Sequence, residues 1–121
     1  MVSKGFRLLP EDDPRMDMQP SNFTAPETFT TGDHREVNHY FHREADDSIL
    51  CGIWETAPCK EEIESYPVNE MMTVISGSLT VTKEDGEPET FTSGDSLFIP
   101  KGSKVTWHIT ETLKKYYLIA A

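Results

Sequence analysis

The sequence predicts a small all-β protein, an antiparallel barrel with an extended N-terminal arm. Three observations carry this reading. From Val37 onward, short runs rich in β-branched and aromatic residues are punctuated by turn signals at short intervals. Several of those runs alternate apolar and polar residues with the period of a half-buried strand. Nothing in the same span has the spacing of a long amphipathic helix.

Residues 1–35 form the arm. Pro10, Pro14, Pro20 and Pro26 lie there among Asp, Glu, Ser and Thr, with Phe6, Phe23 and Phe29 scattered between them. Proline removes backbone donors and disfavours helix, so this stretch is expected to be irregular or an edge strand. Its aromatics would anchor it to a surface built elsewhere. Residues 36–121 are then the barrel domain, with strands expected at 37–42, 48–55, 70–76, 79–84, 89–92, 96–99, 105–110 and 113–119. Asp85-Gly86 suits a tight hairpin, and Ser93-Gly94-Asp95 and Pro100-Lys101-Gly102 are further breakers, so successive strands should pair antiparallel. Leu79 and Val81 alternate with Thr80 and Thr82, and Val105, Trp107 and Ile109 alternate with Thr106 and His108, which leaves one face wet. Residues 49–54 and 71–75 are apolar on both parities and need cover on both faces. Either the arm or a second subunit supplies it, and a two-fold homodimer is the commonest solution.

A chain of 121 residues suits one domain rather than two. No run approaches the roughly 20 apolar residues needed to span a bilayer. The first residues, MVSKGFRLLPEDDP, have no apolar core before a cleavage site. The expectation is a cytoplasmic protein without a membrane partner. A net charge of -10, from 21 acidic and 11 basic residues, repels polyanions and argues against nucleic acid. It is compatible with a plain solvated surface or with a preference for cationic ligands. Cys51 and Cys59 form no CxxC pair and read as ordinary thiols, too far apart for a usual zinc motif. There is no phosphate-cradling glycine loop, dinucleotide fingerprint or nucleophile beside an evident base.

The residues that could carry chemistry cluster around Glu70. Alternation puts Met72 and Val74 on its face, so its carboxylate should point into an apolar barrel, where burial raises a carboxyl pKa. Such a group can act as a general acid or base, or pair with a ligand ammonium. The competing reading is a glutamate satisfied by a neighbouring tyrosine or by a lysine such as Lys115. Tyr66, four residues before Glu70, should reach the same cavity. Trp54 and Trp107 offer flat aromatic walls that suit an amine or guanidinium, or simply fill the core. His39 and His42 fall on opposite faces of one strand, His34 lies in a turn and His108 is out of phase with Trp107, so the histidines do not make a metal site.

From Gly52 to Ile119 the order and spacing of particular residues resemble a known family. They are Gly52-Ile53-Trp54-Glu55, Tyr66 followed by Glu70, six residues to Gly77, then Asp85-Gly86, Gly94-Asp95, Pro100-Lys101-Gly102, Trp107 and Lys115-Tyr116-Tyr117. This pattern resembles the cupin domain of (S)-ureidoglycine aminohydrolase and of ethanolamine-utilisation cupins. The resemblance implies a double-stranded β-helix, the jelly-roll barrel. In metal-binding cupins the first motif gives two histidines and a glutamate, and the second gives one more histidine. Here Glu70 keeps the glutamate position, the two histidine positions fall near Glu64 and Tyr66, and the last falls at Val105.

The resemblance therefore implies a cupin without a tightly bound metal cofactor. A mixed ligand set like that of the aminohydrolase would leave Glu64, Tyr66 and Glu70 as a weak oxygen site for Mn or Mg. The leading expectation is binding of a small polar, amine- or amide-bearing molecule in the barrel mouth. Glu70 and Tyr66 would be the reactive pair, with Glu64, Trp54, Val105 and Trp107 touching the ligand. The alternatives are a hydrolase or isomerase acting on a small nitrogenous compound, with Glu70 as acid or base, and a non-catalytic accessory subunit. Whether the chain is an enzyme stays open at this point.

Overall fold

The computed structural model describes residues 7–10 and 13–121. Its strands are β1 (Gln19–Pro20), β2 (Glu36–Arg43), β3 (Ile49–Thr56), β4 (Cys59–Ile63), β5 (Asn69–Lys83), β6 (Pro88–Phe91), β7 (Ser96–Ile99) and β8 (Val105–Ala120). Among the described residues the one helical element is a single 3-10 turn, Pro26–Thr28, and no helix is long and apolar enough to cross a membrane. Every strand pair is antiparallel.

The two longest strands, β5 and β8, pair with each other along nearly their whole length and serve two sheets at once. Their halves at Asn69 and Ala120 join β3 and β7, and β2 and β1 extend that sheet beyond β3. Their other halves join β4 and β6 in the second sheet. The strands expected separately at 70–76 and 79–84, and at 105–110 and 113–119, are thus continuous, bent ribbons. Register irregularities between Val74 and Leu79 make the bend, as barrel corners commonly do. Gly77 stands there with φ of 90°, and a Cβ on it would lie 2.0 Å from the Thr112 carbonyl oxygen. Only glycine lets the two backbones approach so closely.

β4 was not expected from the sequence, and it closes the wall opposite Trp107. The alternating inward residues behave as their pattern implies: Leu79, Val81, Val105, Trp107 and Ile109 are buried with Met72, Val74 and Leu113 in one core.

One of the arm's aromatics anchors it as expected, and polar groups add to the hold. Phe6 lies outside the described residues, Phe23 is exposed, and Phe29 stacks on His34 with ring centroids 4.5 Å apart. Phe29 also packs against the barrel core and bridges Cys59 of β4, and polar groups complete the anchoring. β1 adds to the edge of β2, and the buried Glu36 carboxylate accepts hydrogen bonds from Ser21 Oγ (2.7 Å) and the Phe23 and Thr24 amides (2.8 and 2.9 Å). Near the other end of the arm the Tyr116 hydroxyl donates to the Leu9 carbonyl at 2.7 Å. The outer face of the larger sheet is covered at Ile53 but carries a row across β3, β8, β5 and β7, Cys51–Leu118–Met71–Phe98, whose last three members are exposed.

Candidate functional site

A cavity of about 480 Å³ opens into the barrel between the arm and the β3–β4 wall. Its sides are apolar and aromatic: Leu50 and Trp54 from β3, Ile63 from β4, Tyr66 and Val68 from the connection to β5, and Trp107 and Tyr117 from β8. Phe23 and Thr24 of the arm stand at its rim.

Glu70 sits at the closed side, 5% exposed, with both carboxylate oxygens engaged. Tyr66 donates its hydroxyl proton to Oε1 at 2.7 Å, and Lys115 Nζ donates to Oε2 at 2.6 Å. The Lys115 ammonium is itself buried, 4.8 Å from the ring centroids of both Trp54 and Trp107 and 6.0 Å from that of Tyr117, with Met72 Sδ at 3.5 Å. Strand register explains the convergence, because Lys115 on β8 lies opposite Trp54 on β3 and Val74 on β5. Burial, reinforced by the Glu70 charge, pushes the Tyr66 phenol well above its usual range, so it stays a neutral donor.

The polar atoms of the walls are spent outward. Trp54 Nε1 donates to Glu36 Oε2 at 2.9 Å, and the Tyr117 hydroxyl donates to Asn38 Oδ1 at 2.6 Å. Their ring faces are left to the cavity and to Lys115. Gly52 makes room for this arrangement, since a Cβ there would meet the Tyr117 hydroxyl at 2.6 Å and the His39 carbonyl at 2.4 Å. Glu36 is held below the usual carboxylate range: burial raises its pKa, and the Trp54, Ser21, Thr24 and Phe23 donors together outweigh that. Burial, with the charges of Glu61 and Glu36, pushes Cys59 up to about 11, and both cysteines are free thiols.

The structure brings four of the six sequence-predicted site residues together: Glu70, Tyr66, Trp54 and Trp107 all line this cavity. Glu64 does not join them. Its side chain is 82% exposed and lies 3.6 Å from Lys104 on the surface. The motif spacing of the resemblance places it near a ligand position, but β4 ends at Ile63 and the chain bends at Glu64, which leaves its side chain outside the barrel. Val105 is also displaced: it packs in the core and borders a separate groove near Phe91 and Leu97. The residue that reasoning from sequence missed is Glu61. On β4 the inward positions are Cys59, Glu61 and Ile63, and Glu61 reaches the cavity wall opposite Trp107, half-buried, with no ion pair or hydrogen-bond partner among the described residues. The alternation of Cys59 and Ile63 with Lys60 and Glu62 was the available signal.

These donors do not fit a cupin metal. Glu64 points away, Val105 has no donor atom, and Tyr66 and Glu70 are engaged with each other and with Lys115. Among the described residues no three His, Cys, Asp or Glu side chains converge. His39 Nδ1 lies 3.3 Å from the Asp17 carbonyl, and His42 pairs with Glu44 at the surface, so neither approaches the barrel interior.

Sequence and structural comparisons agree with this architecture. The profile of the EutQ-like cupin domain matches residues 43–117. The chain belongs to the EutQ-like cupin family. Among solved structures, a Pseudomonas syringae pv. tomato protein of unknown function superposes with a TM-score of 0.77 at 20% identity, covering 89% of this chain and 46% of that one. This EutQ-like cupin therefore spans about half the length of that protein. A Salmonella typhimurium protein described as ethanolamine utilization protein Q gives a TM-score of 0.61 at 21% identity, over 87% of this chain and 96% of its own. The Clostridium difficile EutQ protein gives 0.59 at 22%, over 74% and 65%. At these identities the likeness establishes the fold. No curated protein matches the chain.

Proposed function

We propose that the barrel mouth of this EutQ-like cupin binds a small amine-bearing metabolite without a bound metal. One observation carries the reading: Glu61 is a half-buried carboxylate on an aromatic cavity wall with no partner of its own among the described residues. A carboxylate in apolar surroundings favours a cation, and the face of Trp107 beside it adds cation–π attraction. Glu61 thus takes the part first given to Glu70, whose two oxygens already accept hydrogen bonds. The description of the Salmonella neighbour as an ethanolamine utilization protein makes a small amino alcohol the first probe.

The test is a thermal-shift and calorimetric screen of ethanolamine and related amines against matched alcohols. A ligand at a hundred times its Kd adds about 2.7 kcal/mol of stability. Saturable binding of an amine that is lost in Glu61→Gln supports the proposal. Binding unchanged in Glu61→Gln, or no binding by any amine, overturns it. The Cys51–Leu118–Met71–Phe98 row, exposed at its last three members, is proposed as the face that meets a second copy of the chain. It carries no carboxylate on a protein of net charge -10, so two copies can meet there without opposing acids. A monomer by light scattering at high concentration, unchanged in Met71→Glu, would contradict that.

A further inference from the structure

We infer that Lys115 is a cation built into the chain: it fills the seat beside Glu70 and thereby confines an incoming ammonium to Glu61 at the mouth. The second half rests on the proposed amine site; the first stands on the geometry of Lys115 alone. In the metal-binding relatives that the sequence resembles, the glutamate at the position of Glu70 faces a metal ion. Here it faces the Lys115 ammonium at 2.6 Å. Everything around Nζ has the character of an amine receptor. A carboxylate lies on one side, the faces of Trp54 and Trp107 lie at 4.8 Å, Tyr117 stands at 6.0 Å and a thioether completes the shell. The Trp54 N–H is turned away to Glu36, and both tryptophans present their ring faces to the cation. The receptor foreseen for a ligand amine is therefore real but already occupied by the chain itself.

Charge bookkeeping in the cavity then sets the ligand class. Glu70 and Lys115 cancel, Asp47 at the rim pairs with Arg43, and of the acidic side chains lining the cavity Glu61 is the one without a partner among the described residues. The intact protein has a seat for one ammonium, at Glu61. A diamine gains little from its second charge, because the deeper seat is filled. An amino acid brings a carboxylate that finds no free cation. Removing the Lys115 side chain beyond Cβ should open the deeper seat with Glu70 unpaired, and a buried lone carboxylate in an aromatic box is a strong demand for an ammonium.

The experiment is chemical rescue. Lys115→Ala lacks three methylenes and the ammonium, the outline of n-propylammonium. The thermal midpoint of this variant is followed against n-propylammonium and, at matched ionic strength, against n-propanol. Saturable recovery with the ammonium and not the alcohol, absent in Glu70→Gln/Lys115→Ala, is the expected result. In addition 1,4-diaminobutane should bind Lys115→Ala about tenfold tighter than it binds the unaltered protein. If Lys115→Ala does not fold alone, refolding on addition of n-propylammonium is read instead. Equal effects of ammonium and alcohol, equal rescue in the double variant, or no recovery at any concentration overturn the built-in cation. Rescue in Lys115→Ala with no amine binding to the unaltered protein would leave the Lys115 seat standing and remove the Glu61 site, so the two readings fail separately.

Discussion

Glu36 and Glu70 are both buried glutamates, placed on either side of Trp54, and the chain satisfies them by opposite means. Glu36 is surrounded by neutral donors, two of them backbone amides of the arm, and no cation among the described residues is paired with it. Glu70 meets a full positive charge from the far end of the sequence and one phenol. Trp54 serves both, giving its N–H to Glu36 and its ring face to Lys115. The difference teaches what each carboxylate is for. Glu36 ties the arm to the barrel rim through groups that can return to water. Glu70 neutralises a charge that has nowhere else to go.

The largest effect that can break this contrast is expected at Lys115. Lys115→Met fills the stem but leaves Glu70 unpaired inside the core, which costs about 3–5 kcal/mol in urea unfolding. Glu70→Gln/Lys115→Met should recover most of that loss. A double variant no more stable than the single one would show that the pair is not the source.

Glu36→Ala is expected to cost less, about 1–3 kcal/mol, because the amides it abandons lie next to the exposed Phe23 and can be solvated. The loss should be local, so amide exchange at residues 21–24 must accelerate ahead of β5 and β8. The same carboxylate predicts an acid response. Its folded pKa is depressed, so its stabilisation is complete above the unfolded value and fades as pH falls below about 4. Proteolysis of the arm should therefore rise in that window, and Glu36→Gln should flatten the profile. Trp54→Phe sharpens the comparison further. It removes the bond to Glu36 at about 1 kcal/mol and keeps a ring for Lys115, so the arm should loosen while the interior holds. The smallest effect is chemical: with its thiol pushed up to about 11 and buried, Cys59 should resist alkylation at pH 8 until the protein is unfolded.

The barrel was legible because its corners are written in short local signals. Gly77, Asp85-Gly86, Gly94-Asp95 and Pro100 to Gly102 each specify a turn without help from the rest of the chain. What those signals could not show is that the segments on either side of Gly77 are one bent strand, since a bend and a hairpin use the same residue. Glu70, Tyr66 and the tryptophans followed from alternation and spacing, and Lys115 was legible as one of two readings for the partner of Glu70. Glu64 matched a motif position by spacing alone, and the bend that follows β4 turns its side chain to the surface. Glu61 was hidden because Cys-Lys-Glu-Glu-Ile reads as too charged for a strand with an inward face. Glu36 could not be anticipated at all. Two of its partners are backbone amides, 12 and 13 residues away, that any sequence would supply.

The placement of β8 has a consequence for how the molecule comes into being. This one strand is hydrogen-bonded to β3, β4 and β5, yet of the eight strands it is made last. Until residues 105–120 have been made, β3 and β4 lack the strand that joins them to the rest of their sheets, and one edge of β5 stays open. Such a nascent chain depends on holding factors or on rapid completion to avoid sticking to its neighbours. A stop codon just before Val105 should yield insoluble fragments rather than a smaller folded barrel.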